Sequence, residues 1–325
     1  MKRPCSAETL LSVILTLTFF ARKPYAKMIC LMSMFLLARV ILSTRRIPFG
    51  YTYFGFPYVN ISLPGLFNDS SIPFVLVPIG QSEVLPEDVE EDSLWNQNDQ
   101  ELVFVSTRDN RASPIRFVEP QLLVDHGADL NHVVANLGIG PDSAFIDAFA
   151  SVDFLTDIGE LVVGSSPQQF FSACSSGNIL RVPILGIGPE MYIRTNLGDD
   201  FMPTRFTGAN DVLGLPPDEF GIILRILEVE APDFLMPVRF DDCARRRSVL
   251  PELTISIFSQ MNERTGVGSI VLYPDDYTHL KSDGSCELLI GRLFSIRDAV
   301  INPLRIPHVN VRFTYTEAFF CDSLD

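Results

Sequence analysis

Cys243, then Leu250-Pro251-Glu252-Leu253-Thr254-Ile255-Ser256-Ile257-Phe258, then Ser269-Ile270-Val271-Leu272-Tyr273-Pro274-Asp275-Asp276-Tyr277, then Gly284-Ser285-Cys286 is the stretch on which the fold is read. Leu253, Ile255 and Ile257 alternate with Thr254 and Ser256, which puts the three aliphatic residues on one face of a strand. Residues 269–273 form a second β-type run. Pro274-Asp275-Asp276 follows it, and proline with aspartate is turn chemistry. Residues 287–290 make a third short run after Gly284.

The same grammar continues outward. Runs of alternating apolar residues bounded by Gly, Pro, Asn or Asp predict strands at 74–77, 102–106, 121–124, Glu160–Val163 and 180–184. A last one covers 309–315, with Val309, Val311, Phe313 and Tyr315 on one face. One helix is clear. Pro216 and Pro217 open it, Asp218 and Glu219 complement the first-turn dipole, and Phe220, Ile223, Leu224 and Leu227 form its buried stripe. A shorter helix is predicted over 143–150. Many short strands with rare helices predict an all-β architecture of two lobes, dividing near residue 190: 47–190 and 191–325, after a leader of 1–46.

The 325 residues are 47% hydrophobic and 20% charged, ordinary for a packed chain and against a disordered tail or a disulfide miniprotein. A net charge of −15 argues against a nucleic-acid partner. The charge is uneven. Residues 1–46 hold eight basic side chains and only Glu8 as an acid, so the remainder is at −22, with Lys281 its one lysine. Two apolar runs, 10–21 and 28–42, are too short for a comfortable membrane span. Lys2 and Arg3 before the first resemble a secretory signal, which is expected to be removed up to about residue 45. A retained anchor is the alternative, and the only route to a membrane.

Asn60-Ile61-Ser62 and Asn68-Asp69-Ser70 are glycosylation acceptor patterns in a stretch expected to be surface loop. Past the leader, Cys174, Cys243, Cys286 and Cys321 are an even count, suited to two disulfides in an oxidising compartment, with three pairings open. His126, His132, His279 and His308 are scattered and no Cys-x-x-Cys occurs, so no metal or other cofactor is expected. The chain also has no Gly-x-Ser-x-Gly elbow of a serine hydrolase.

The order of these landmarks resembles that of the pepsin-like aspartic peptidases. Cys243, the Leu-Pro strand, the Pro274–Tyr277 turn and Gly284-Ser285-Cys286 are similar to that family's second-lobe pattern. Leu137-Gly138-Ile139-Gly140 resembles its Leu-Gly-x-Gly segment, Glu160-Leu161-Val162-Val163-Gly164 its Gly-x-Leu-x-Phe-Gly strand, and Arg181-Val182-Pro183-Ile184 its Val-Pro-Val strand. The resemblance covers roughly residues 51–325. It implies a two-lobed, double-ψ β-barrel fold, a Cys243–Cys286 bridge that leaves Cys174 for Cys321, and a monomer that takes a peptide or protein segment in the interlobe cleft.

The family works through two Asp-Thr-Gly loops whose carboxylates share one proton, since close like charges cannot both ionise. In this chain Pro78-Ile79-Gly80 fits the first loop and Phe206-Thr207-Gly208 the second, with Pro78 and Phe206 at the aspartate positions. Both would give the cleft an apolar floor. Asn302-Pro303 replaces the glycine expected beneath the second loop, and no tyrosine lies between residues 78 and 137 to serve a flap. Asp125, in Val124-Asp125-His126-Gly127, is the outside catalytic candidate, but it precedes Leu137-Gly138 too closely to leave room for a flap. The reading is a secreted, non-catalytic pseudoenzyme. The alternatives are an active aspartic endopeptidase using Asp125 and a membrane-tethered structural β-protein.

Overall fold

A computed structural model describes residues 44–52, 55–62, 71–79, 94–98, 101–105, 112–120, 135–175, 179–184, 191–208, 211–230, 237–259 and 267–324, the strands between 94 and 114 by their backbone alone. The chain divides into two compact units, Met1–Thr44 and Arg45–Asp325. The leader runs at 10–21 and 28–42 lie outside the described residues, as do Asn68, Gly80, Asp125 and the 121–124 strand. Arg45 and Arg46, the last two residues of the expected leader, are the first two residues of the Arg45–Pro48 strand. Among the described residues no helix is long and apolar enough to cross a membrane.

The architecture is all-β and two-lobed. Its centre is a six-stranded sheet in the order Arg45–Pro48, Glu160–Val163, Val152–Leu155, Val309–Phe313, Glu317–Asp322 and Leu180–Pro183. The last two strands of the chain thus pair with strands of the first half. A division at 190 therefore separates strands that share one sheet, which sequence order alone does not reveal. Val309, Val311 and Phe313 share a buried face as expected, but Asn310 and Arg312 on the opposite face are buried too. Tyr315 does not continue the strand. It is 49% exposed in the turn closed by the Thr314 N–H donating to the Glu317 carbonyl at 2.9 Å.

Polar residues survive on that second face because each finds partners. Asn310 Oδ1 accepts from the Thr156 N–H at 2.7 Å, and its Nδ2 donates to the Ala173 carbonyl at 2.9 Å. Arg312 lies opposite Asp153 in register, 4% and 1% exposed. Its Nη1 donates to Asp153 Oδ1 at 2.7 Å and to Ser165 Oγ at 2.7 Å, its Nη2 to the Ser165 carbonyl at 2.9 Å, and the Ser165 hydroxyl donates to Asp153 Oδ2. Burial pushes the Asp153 carboxyl up to about 6 even with Arg312 and Ser165 pulling it down, and pushes the Arg312 guanidinium down. Desolvation outweighs attraction for both partners.

The second half builds a seven-stranded sheet in which Leu253–Phe258 pairs antiparallel with Gly268–Leu272 and with Met191–Thr195. The 287–290 run divides at Leu289. Cys286–Leu288 joins Arg239–Phe240 and Thr278–Leu280 in a small sheet, while Ile290–Arg292 joins the large one. The Pro217–Leu227 helix buries Phe220, Ile223, Leu224 and Leu227 and ends at Glu228 in the left-handed conformation (φ 53°). Ala144–Phe149 is the short helix, with the Ser143 hydroxyl oxygen accepting from the Ile146 N–H. Disulfides join Cys174 to Cys321, across 147 residues, and Cys243 to Cys286, across 43.

His308, just before the Val309–Phe313 strand, ties the 273–277 turn to the central sheet. Its Nδ1 is 3.6 Å from Asp276 Oδ1 and its Nε2 3.1 Å from the Val271 carbonyl, and only the imidazolium donates to both. The Asp276 carboxylate raises the His308 pKa against the opposing effect of burial. A raised folded pKa stabilises fully below the unfolded value and ceases to do so as pH rises through the folded one. His308→Gln is therefore expected to lower Tm more at pH 5 than at pH 8.5. Equal shifts by calorimetry at the two pH values would exclude the charged pair.

Candidate site at the two converging loops

The first loop follows the Ser71–Val77 strand, which runs parallel to Ala135–Gly138 with Val77 opposite Gly138. The Ile139 N–H donates to the Val77 carbonyl at 3.0 Å and the Gly140 N–H to the Ile79 carbonyl at 3.2 Å. Pro78 and Ile79 are thus clamped onto the neighbouring segment, Pro78 buried and Ile79 half-buried. A Cβ at residue 140 would fall on the Pro78 carbonyl, so this close approach requires glycine.

The second loop repeats the plan. Met202–Phe206 runs parallel to Ala299–Ile301, the Thr207 N–H donates to the Ile301 carbonyl at 3.0 Å, and Leu213–Leu215 returns antiparallel on the other side of Ala299–Ile301. Asn302, 2% exposed, donates its N–H to the Val212 carbonyl at 2.9 Å. The two loops touch. A Cβ added at Gly208 would lie 2.9 Å from Val77 Cγ1 and 3.8 Å from Ile79 Cδ1. Among the described residues, the atoms nearest that position are hydrocarbon. Two loops, each hooked beneath a parallel strand, thus meet between the halves of the chain.

The crystal structure of aspartic proteinase from Irpex lacteus is similar to this chain, with a TM-score of 0.54 and 12% sequence identity over 86% of this chain and 97% of that one. The likeness is one of fold. No protein-family model matches the sequence, and no curated protein sequence matches it.

Several expectations change at the site. Phe206 is not cleft floor. It is 7% exposed and turns its ring onto the central sheet, with centroids 5.6 Å from Phe313 and 5.8 Å from Phe320. Thr207 and Gly208 are half-buried beside it. Asn60 is not in a surface loop either: it is 6% exposed inside the Pro57–Ser62 strand, between Pro73 and Val118 on its two neighbours. The surface-loop location expected for Asn60 is therefore corrected to the middle of a paired strand.

Asp211, four residues beyond Thr207, packs against Gly291, where a Cβ would collide with its carboxylate. Burial raises its pKa while the Arg305 guanidinium opposes the rise. Arg305 is itself pushed down to about 10 by burial, and its Cζ stands 4.0 Å over the Phe56 ring centroid. The nearby Glu287 carboxylate adds to the rise at Asp211. Sequence reasoning missed both Arg305 and the Asp153–Arg312 pair, because a buried arginine has no local signature. Among the described residues no cluster of His, Cys, Asp and Glu could hold a metal.

Proposed function

We propose that this chain is a secretory-route protein of aspartic-proteinase fold that binds a peptide or protein segment between its lobes without hydrolysing it. The observation that carries the reading is the junction itself: Val77, Ile79 and Gly208 meet where the two loops converge, with Pro78 clamped in the first loop and Phe206 packed in the core behind the second. Aspartic chemistry needs two carboxylates, one ionised to take a proton from water and one protonated to polarise the carbonyl. Pro78 has no exchangeable proton and no backbone donor, and Phe206 presents only a ring. General acid–base help is worth about 10²–10⁴-fold per group, and here both groups are replaced together. The two disulfides support folding in an oxidising compartment.

The expected result is no cleavage of a peptide library between about pH 3 and pH 7. An extended peptide selected from that library should instead be retained by the folded protein. Cleavage that is blocked by a transition-state-mimicking aspartic-proteinase inhibitor, and lost in Asp125→Asn, would replace this reading with that of an active endopeptidase.

A further inference from the structure

The two large apolar side chains most exposed among the described residues are close neighbours. Phe294 is 79% and Ile296 77% exposed, against 58% for Val249, the next. Both stand on the loop 293–298 between the Ile290–Arg292 and Ala299–Ile301 strands. We infer that this loop docks on an anionic lipid bilayer, with Phe294 and Ile296 entering the acyl boundary and Arg292 and Arg297 meeting the headgroups. The inference stands whether or not the cleft binds peptide, and the route does not use the leader.

The loop's base is fixed and its tip is turned outward. The Leu293 N–H donates to the Leu215 carbonyl at 2.9 Å, and the Leu293 side chain packs on Gly214, where a Cβ would lie 2.9 Å from its Cδ2. At the other end Ala299 and Ile301 are buried. Between them the Ser295 hydroxyl oxygen accepts from the Arg297 N–H at 3.3 Å and from the Asp298 N–H at 3.0 Å. That closes a turn in which Ser295 is half-buried while its two apolar neighbours project. A turn already ordered loses little backbone freedom on docking.

Two observations choose a bilayer as the occupant. The first is size. Two side chains on one turn fall far short of the roughly 800 Å² per partner that a stable protein interface buries, which disfavours a second copy of the chain. A bilayer needs no matching surface, and apolar side chains at its boundary with cations alongside suffice.

The second is charge. Residues 292–298 carry Arg292 and Arg297 against Asp298, a net of +1, whereas residues 47–325 are at −22. Arg205, exposed like the other two arginines, lies opposite Val300 in the parallel register and extends the cationic side. Asp211, packed on Gly291 at the base, is countered by Arg305. Anionic headgroups attract arginines within a Debye length and repel the acidic remainder, so this loop is the part that can approach.

The test follows tryptophan fluorescence of the full chain with vesicles whose acyl chains carry bromine, a contact quencher. Phe294→Trp puts a reporter at the tip, and the parent, whose one tryptophan is Trp95, supplies the background. With about one-third phosphatidylserine in phosphatidylcholine, quenching above the parent is expected for Phe294→Trp and not for Val249→Trp. Adding Ile296→Ser should raise the lipid needed for half-quenching about tenfold. Adding Arg292→Gln with Arg297→Gln, or raising salt from about 0.05 to 0.5 M, should raise it too. All variants are expected to melt like the parent. No quenching beyond the parent, or equal quenching at Val249→Trp or in pure phosphatidylcholine, would overturn the proposal. So would a dimer, seen by ultracentrifugation without vesicles, that Ile296→Ser dissociates, since the loop would then belong to a second copy of the chain.

Discussion

Arg312→Met is expected to destabilise the protein by about 3–5 kcal/mol, because it strands the Asp153 carboxylate in a site 1% exposed. Asp153→Leu alone should cost a similar amount by stranding the guanidinium. The double variant is expected to recover most of the loss. Desolvation already outweighs attraction in this pair, so two hydrocarbon side chains of similar volume lose little by comparison. Urea unfolding of the three variants checks the non-additivity, and a cost below about 1 kcal/mol for Arg312→Met would mean the pair is open to water.

The same pair sets a pH dependence. The folded Asp153 pKa of about 6 lies above an unfolded value near 4, so the native state holds its proton to higher pH. The contribution is fully present below about pH 4, is lost as pH rises through 6, and amounts to roughly 2–3 kcal/mol. The parent should lose that much between pH 4 and pH 7, and the double variant should not. His308 acts in the same direction, so both groups favour mildly acidic conditions.

Phe206→Ala is expected to cost about 3–5 kcal/mol, since the ring fills the space against Phe313 and Phe320 and the sheet behind cannot close the cavity. Phe206→Asp should cost more, because it adds an unpaired carboxylate to that apolar site. Rebuilding a catalytic pair with Pro78→Asp and Phe206→Asp together is therefore expected to give an unfolded chain and not a peptidase. Circular dichroism and a peptide-cleavage assay on the double variant decide this. A folded, hydrolytic product would show that residue 206 can face the cleft.

Local pattern made much of the fold legible. Glu160–Val163 and Leu253–Phe258 have the bounds that alternation and flanking turn residues give them, and the Pro217–Leu227 helix buries the stripe read from its spacing. The misreadings have one cause. Alternation says which residues share a face but not whether the other face is also covered. Asn310 and Arg312, on the face that the alternation left unassigned, are buried, Asn60 looked like loop and is mid-strand, and Phe206 looked like cleft and is core. The two loops were placed by the resemblance to the aspartic peptidases, but their contact through Gly208 was not.

The sequence by itself determined the β-rich character, the two main helices, the turn chemistry and the even count of body cysteines. These depend on periodicities and turn residues that act within about ten positions of one another. Only the tertiary structure decided that Val309–Phe313 and Glu317–Asp322 return to the sheet of the first half, that Asp153 meets Arg312 across 159 residues, and that hydrocarbon side chains meet Gly208 where the loops converge. Such pairings are selected by which faces can be buried together once the whole chain is folded, and no local run of residues carries that information.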